Sequence, residues 1–347
     1  HIDKTGSLPK WLATKGYVSH QSGKWWEGSY QRGGFTAGMT RGFPEKRGRH
    51  GDDGLKIGRD GLKPVTDFID RSLEAKKPFF VWYAPFMPHT PHTPPERLYK
   101  KYLDKGVQQR VAKYYAMCEW FDETCGALVK HVDDAGIAKN TLIIYVTDNG
   151  WVQAEKGGYA VRSKRSPNEM GTRTPIMFRW PGTIPPAKRS ELASSIDLVP
   201  TMLAAAGAAG PHEFPGLNLL EHLKSGEMIG RDTIFGESFA HDIADIENPQ
   251  ASLLYRWVIK GNHKLLLTYD GRPGKMKYPP QDAAPQLYDL KADPLEKQNL
   301  AAKHPKRVAE LSKLLDGWYV PTQRQVNKHG SAQSTGSRPT KRKPDKD

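Results

Sequence analysis

The chain has 347 residues, 37% of them hydrophobic and 26% charged, which is enough apolar surface for one large folded domain or two smaller ones and excludes a mini-protein or a globally disordered chain. No stretch approaches the roughly twenty apolar residues of a membrane-spanning helix, so an integral membrane span is excluded. Lys and Arg number 52 against 38 Asp and Glu, and the net charge of +14 favours anionic partners such as nucleic acid, phosphate, sulfate or acidic polysaccharide.

Residues 8–17 (LPKWLATKGY) predict a short amphipathic helix with Leu8, Trp11 and Leu12 on one side and Gly16 as its stop. No charged-then-apolar leader precedes it, so a targeting segment is expected to be absent from this chain. A break follows at VSHQSGKWWEG, and a Gly- and Arg-rich stretch without periodicity runs to Lys63; irregular regions of that length are more often functional than idle. Residues 65–75 return to helical spacing, and 78–83 (PFFVWY) form a continuous apolar run of buried-strand type. From 111 to 132 apolar residues recur at Val111, Tyr115, Cys118, Phe121, Cys125, Leu128 and Val132, the three-four spacing of one helical face. Cys118 and Cys125 lie about 10 Å apart along such a helix, too far to pair with each other, and read as small core residues.

Residues 141–146 (TLIIYV) predict a second buried strand, 175–180 a third, and 196–206 a helix closed by Gly207. This alternation favours a layered α/β domain with a largely parallel sheet, spanning residues 1–230. Past 230 the texture changes to strands at 233–237, 255–260 and 264–269, with Gly261-Asn262 as a hairpin turn. A strand at 286–290 and a helix at 308–318 complete a smaller antiparallel subdomain over 231–321. Residues 322–347 hold seven Lys/Arg against two Asp, a surplus of +5, among Ser, Thr, Gln, Gly and Pro. They read as a disordered basic tail.

Asp148-Asn149-Gly150 stands directly after a predicted strand, where ligands gather in open α/β sheets. Its carboxylate and amide oxygens suit Ca²⁺ or Mg²⁺, and the same tripeptide is also a good turn. Lys24, between aromatics in GKWW, can present a point charge to an anion or be a surface lysine. His89 and His92, in PHTPH at a strand exit, can serve as proton donors or ligands. Lys164 lies in a loop just before the third strand.

The order of these segments resembles the sulfatase family of the alkaline phosphatase superfamily. GYVSHQSGKWWEG is similar to the family's GY…GKWHLG, PFFVWYAPFMPHTPHTPPERL to PFF…PHxP…P, and NTLIIYVTDNG to NTxVxxTSDNG. KRSPNEMGTRTPIMFRWPG is similar to KxxxYEGGxRVPxxxxWPG, SSIDLVPTMLAAAG to SxxDLxPTxLxxAG, and LYDLKADPLEKQNLA to LYDLxxDPxExxNLA. The likeness runs from Leu8 to Ala301.

It implies an alkaline-phosphatase-like layered α/β/α fold, and it implies that Asp148 and Asn149 are ligands of a Ca²⁺ ion that polarises a sulfate ester. Lys24 would contact a sulfate oxygen, Lys164 would neutralise sulfate charge, and His89 would hydrogen-bond the bridging oxygen, all around one cleft. The implied substrate is a sulfated small molecule or polysaccharide, with export to the periplasm or beyond. Nucleic acid is not an expected partner, because the basic residues concentrate in the tail without a recognised fold signature.

Two departures qualify the likeness. The family's CxPSR or SxPSR segment, whose Cys or Ser becomes the formylglycine nucleophile, has no counterpart at Cys118-Glu119-Trp120 or Cys125-Gly126-Ala127. The resemblance places it, with a first metal-binding Asp pair, ahead of His1, so the chain as given is expected to lack the nucleophile and to be inactive. Trp26 replaces the His of GKWHLG, and indole cannot accept a hydrogen bond. Either His20, His50 or His92 supplies that ring, His50 being favoured for its place in the irregular loop, or this subgroup does without it. Two alternatives stand beside the sulfatase reading: a non-catalytic binder of sulfated or acidic glycans, and a phosphodiesterase or phosphonate hydrolase of the same superfamily.

Overall fold

The computed structural model describes residues 2, 5–42, 52–210, 213–240, 247–269 and 284–321. His50 and the basic tail therefore lie outside the described residues. The chain divides into two compact units. The first comprises His1–Val146, Gln153–Gly158 and Ile176–Ile229, and the second Thr147–Val152, Tyr159–Pro175 and Gly230–Asp347.

In the first unit, α1 (Leu8–Ala13) starts on Pro9 and ends sooner than its periodicity suggests, because a turn leads into Gly16 at φ +79°. The segment read as a break is strand β1 (Val18–Gly23), the centre of a three-stranded parallel sheet. It pairs with the two-residue β2 (Ala37–Gly38) on one side. Helix α2 (Lys63–Glu74) buries Val65, Phe68, Ile69 and Ser72 at three-four spacing. Strand β3 (Phe79–Ala84) runs parallel to β1 from Val18↔Phe79 to Gly23↔Ala84.

Ile57, Val65 and Ile69 form the core under this sheet against Phe79, Val81 and Tyr83, and each such side chain removed from water contributes about 1.5–3 kcal/mol. The other face of β3 is less covered than an all-apolar run suggests: Trp82 is 41% exposed.

Helix α3 (Glu96–Leu103) packs on α4 (Gln109–Asp134), the long helix that the heptad-like spacing forecast. Its buried positions are Ala112, Ala116, Met117, Thr124 and Val132, so the small residues face inward and Tyr115 turns out to solvent. Strand β4 (Ile143–Val146) follows, then α5 (Glu169–Thr172) of the second unit, then β5 (Ile176–Arg179). β4 and β5 pair antiparallel, from Ile143↔Arg179 to Val146↔Ile176, so among the described residues the parallel arrangement belongs to β2-β1-β3 alone. Helices α6 (Leu198–Ala205) and α7 (Leu220–Ser225) complete the unit.

The second unit is built on an antiparallel sheet of β6 (Thr233–Phe239), β7 (Leu253–Lys260), β8 (His263–Thr268) and β9 (Gln286–Asp289), in that order. Gly261, at φ +58°, makes the β7–β8 turn as the Gly-Asn pair forecast. Helix α8 (Pro305–Trp318) lays Leu311 and Leu315 on Val258, Leu265 and Leu287. Among the described residues no helix is long and apolar enough to cross a membrane. The fold is α/β, with a parallel sheet and a small C-terminal antiparallel sheet.

Candidate active site

Strand β1 lacks an apolar pattern because its buried side chains are polar, and all but His20 are hydrogen-bonded. Ser19, His20, Gln21 and Ser22 are all buried. Gln21 Oε1 accepts from the Thr40 amide at 3.1 Å, and Thr40 Oγ1 donates to the Gly23 carbonyl at 2.9 Å. Thr36 and Ser19 exchange bonds of 2.7–3.2 Å, and Ser22 Oγ donates to the Trp82 carbonyl at 3.0 Å. Buried hydroxyls and amides held this way do not incur the cost of unpaired polar groups, so the strand tolerates them. The loop after β1 thus binds back onto the strand and fixes where it ends.

It ends at Gly23, whose φ of +86° and whose contact with Ala84 require the missing side chain: a Cβ there would stand 1.8 Å from the Ala84 carbonyl oxygen. Lys24 comes next. Its amide donates to Ala84 O at 2.7 Å and its carbonyl accepts from Trp82 Nε1 at 3.3 Å. The lysine therefore leaves the carboxyl end of β1 beside the carboxyl end of β3, where parallel sheets hold their ligands.

Phe86, two residues past β3, gathers three nitrogen groups. Lys24 Nζ lies 5.4 Å from its ring centroid and the Arg59 guanidinium 6.0 Å, while the His89 ring stacks on it at 4.5 Å with planes 25° apart. Two cations and an imidazole around one aromatic ring make a site for an anion. His89 Nδ1 sits 2.9 Å from the Thr90 carbonyl, which makes it the backbone-facing nitrogen. Arg59 donates to the carbonyls of His89 and Pro91 at 3.3 and 3.0 Å, tying down the segment that carries the histidine.

Arg59 escaped the sequence reading. Its signal is Gly58, at φ +83°, where a Cβ would meet Met87 Cε and the Tyr83 hydroxyl at 2.6 and 2.7 Å. Burial lowers the Arg59 pKa, against the opposing pull of Asp60.

The structure also sorts the histidines proposed to replace the ring missing at Trp26. His20 points from β1 into the core against Phe68, 5.1 Å between ring centroids, and burial followed by the Arg71 charge lowers its pKa to about 4. It is a core residue. His92 is half-buried beside Tyr114, 5.7 Å between centroids, with its pKa lowered chiefly by burial.

Asp148, Asn149 and Lys164 belong to the second unit. Gly150 N donates to Gly171 O at 2.9 Å, and a Cβ on Gly150 would lie 2.0 Å from Met170 O, so the Asp-Asn-Gly turn is seated directly on α5. Asp148 is exposed, and Asn149 donates its Nδ2 to Gly150 O at 2.8 Å, which orients its amide oxygen the opposite way. Trp151 stacks obliquely on Tyr159, and Lys164 Nζ lies 5.6 Å over the Trp151 ring. The second unit therefore brings Lys164 to the ring that follows the Asp-Asn-Gly turn, as the first brings Lys24 and His89 to Phe86.

The Lys164 loop is held from below. A Cβ on Gly171 would strike the carbonyls of Ser163 and Ser166 at 2.2 and 2.6 Å. Beneath it Lys264, fully buried on β8, donates to Pro167 O at 2.7 Å and Glu169 Oε1 at 2.9 Å and lies 3.1 Å from Glu296 Oε1. Glu296 Oε2 accepts from the Glu169 amide at 2.7 Å, and its carbonyl from Arg162 at 2.6 Å. Sequence reading missed this network. Its one signal was a lysine at an inward position of an otherwise apolar strand.

Asp148 and Asn149 fit a hard cation in kind, as two of the about six to eight oxygens that Ca²⁺ takes. Among the described residues no cluster of three or more His, Cys, Asp or Glu completes such a set. The cysteines do not fit a formylglycine position. Both are free and sit mid-helix in α4, and burial raises the thiol pKa of Cys118 and takes that of Cys125 up to about 11, the opposite of an activated thiol.

Comparison with known proteins gives these placements a family. The Sulfatase family profile matches residues 2–208, and the profile of the N-sulphoglucosamine sulphohydrolase C-terminal region matches 157–318. An N-acetylgalactosamine-6-O-sulfatase of Bacteroides thetaiotaomicron is 31% identical over 215 residues, covering 56% of this chain and 39% of that protein. The chain thus spans less than half the length of that relative.

Among solved structures, a protein from work on the metabolism of multiple glycosaminoglycans by Bacteroides thetaiotaomicron (BT33336S-sulf) superposes with a TM-score of 0.69 at 22% identity, covering 91% of this chain and 82% of its own. A phosphonate monoester hydrolase of Agrobacterium radiobacter shares the fold at a TM-score of 0.60 and 17% identity, with 89% and 79% covered. With the profile covering more than half its length and the motif residues in the places just described, the chain belongs to the sulfatase family.

Proposed function

We propose that the protein hydrolyses sulfate monoesters, with a sulfated amino sugar or polysaccharide as substrate. The observation that carries this reading is the cluster on Phe86. An amine from the end of β1 and an imidazole from beyond β3 meet on one ring, 65 residues apart in the chain, at the ligand-binding ends of adjacent parallel strands. That arrangement suits an anion whose departing oxygen needs a proton.

In this reading Lys24 pairs with a sulfate oxygen as a point charge, and Arg59 adds positive potential while holding the His89 segment in place. His89 keeps Nδ1 on the Thr90 carbonyl and gives the proton on Nε2 to the bridging oxygen as the S–O bond breaks, so the alcohol leaves neutral while the sulfur bonds to an attacking hydroxyl oxygen, that of water in the net reaction. Lys164, steadied over Trp151, offsets a second share of the sulfate charge. Asp148 and Asn149 would contribute oxygens to a Ca²⁺ ion, which supplies Lewis-acid polarisation of the ester when bound. The nucleophile is assigned to neither Cys118 nor Cys125. The sulfated-sugar substrate class is supported by the relative named for N-acetylgalactosamine-6-O-sulfate chemistry.

The test is sulfate release from 4-nitrophenyl sulfate and from a 6-O-sulfated amino sugar by the full-length protein. Lys24→Ala, His89→Ala and Asp148→Asn are each expected to lower kcat/KM by about 10²- to 10⁴-fold with little change in Tm. Undiminished turnover in all three, or faster cleavage of an aryl phosphonate than of the sulfate, overturns the reading.

A further inference from the structure

The first turn of α4 carries Arg110 and Lys113 and no acidic residue. The helix dipole at that end favours anions by about 0.3–1 kcal/mol each and disfavours cations by the same reasoning. Gln108 Oε1 accepts from the amides of Arg110 and Val111 at 2.8 and 3.2 Å, which satisfies the backbone without adding negative charge, and Lys113 Nζ lies 5.5 Å from the Tyr99 ring centroid. Both basic side chains line a cavity of about 370 Å³ in the first unit, with His92, Gln109 and Gln153, and none of the lining residues is acidic. The volume is that of a small ligand pocket.

The walls are built for this content. Gly157, at φ +100°, faces Arg110, and a Cβ there would stand 2.5 Å from Nη1, so only glycine lets the guanidinium lie where it does. Gln153 spends its Nε2 on the carbonyls of Ala154 and Gly158 at 3.1 and 2.8 Å, closing the turn that forms one wall. His92 Nε2 is buried without a hydrogen-bond partner at the cavity. Burial lowers the His92 pKa first; the Pro88 carbonyl opposes this, and the charges of His89, Arg59 and Lys113 add to it, so the ring is neutral at pH 7. Thr90, on the rim, is the residue whose carbonyl holds His89.

We propose that this cavity is a subsite for a second anionic group of the saccharide substrate, a sulfate ester or a uronate carboxylate, gripped by Arg110 and Lys113. The guanidinium fork takes two oxygens of either anion, and the ammonium adds a point charge. The subsite deepens the sulfatase reading and rests on it, since it selects which sulfated saccharide reaches His89.

The experiment compares wild type with Arg110→Ala, Lys113→Ala and the double variant in the full-length protein. Both side chains are exposed, so truncation removes little packing. The substrates are 4-nitrophenyl sulfate, a disulfated disaccharide and a monosulfated disaccharide bearing a uronate. The double variant is expected to keep its kinetics on the aryl sulfate while KM for a doubly anionic substrate rises about 10- to 100-fold at constant kcat, the pattern of lost uniform binding. Lys113→Arg restores most of the loss.

A rise confined to the disulfated compound identifies the sulfate as the group held, and one confined to the uronate identifies the carboxylate. Unchanged KM for both doubly anionic substrates, or an equal rise for the aryl sulfate, overturns the subsite. If wild type cleaves no sulfate ester, the sulfatase reading fails. Calorimetric titration of the disulfated disaccharide then decides the subsite alone: about tenfold weaker binding by the double variant sustains it, and equal binding ends it.

Discussion

Two imidazoles, one within β1 and one in the loop beyond its neighbour β3, have opposite fates, and their surroundings decide which. His89 stacks on Phe86, a ring that a lysine and an arginine also approach, in a loop at the ligand-binding end of the sheet. His20 lies within β1, packed on Phe68, with Nδ1 buried and unpartnered and a pKa near 4. That value has a measurable consequence for stability. Because the folded state holds His20 below its ordinary value near 6.5, the unfolded chain takes up this proton first as pH falls.

His20 therefore costs the fold nothing above about pH 6.5 and up to about 1.4 kcal/mol for each pH unit between 6.5 and 4. Urea midpoints at pH 7 and pH 5 should show this loss in wild type and a shallower one in His20→Leu. Identical pH dependence in the two proteins would remove His20 from the account. Nothing in the letters VSHQSG separates this histidine from a catalytic one, because the distinction lies in which side of the strand faces α2.

At the scale of elements, what was legible depended on whether burial is apolar. Strands β3, β4 and β5 and the β7–β8 hairpin announce themselves through runs of Val, Ile, Leu and aromatic residues, and α2 and α4 through their period. β1 was invisible because its four buried side chains after Val18 are Ser, His, Gln and Ser: Ser19 and Gln21 are satisfied by a loop up to nineteen residues downstream, Ser22 by the Trp82 carbonyl, and His20 packs on Phe68. In α4 the period was right and the face was not, since alanines take the buried side and leave Tyr115 outward.

The glycines test the β1 reading. Gly16 and Gly23 have nearly the same φ, +79° and +86°, but a Cβ meets nothing within 4 Å at Gly16 and stands 1.8 Å from Ala84 O at Gly23. Gly16→Ala should cost about 1–2 kcal/mol, the backbone term alone. Gly23→Ala must separate β1 from β3 as well and should cost about 4 kcal/mol or more. Chemical denaturation of the two variants checks this, and similar midpoints for both would mean that β1 and β3 are not joined as described.

For the molecule as a whole, the motif order carried the family and most of the residues that each unit gathers, but it could not show what holds the units' loops in place. The acidic residues of two distant motifs, Glu169 of NEMG and Glu296 of DPLEKQN, carry no mark of burial in the sequence, yet both are buried against one ammonium, Lys264, which no motif contains. Burial of two carboxylates with one lysine is tolerable only while all three remain, with Arg162 at the margin, 3.9 Å from Glu296 Oε2. Lys264→Met leaves two buried carboxylates without their cation and should cost about 3–5 kcal/mol.

Adding Glu169→Gln and Glu296→Gln to that variant removes the uncompensated charge and should recover most of the loss. The network lies under residues 163–168, so hydrogen exchange in that loop should accelerate in Lys264→Met and slow again in the triple variant, whereas the exchange of β1 and β3 should not move. A single variant within about 1 kcal/mol of wild type, or one whose exchange rises evenly along the chain, would show that the Lys164 loop is not held by this charge cluster.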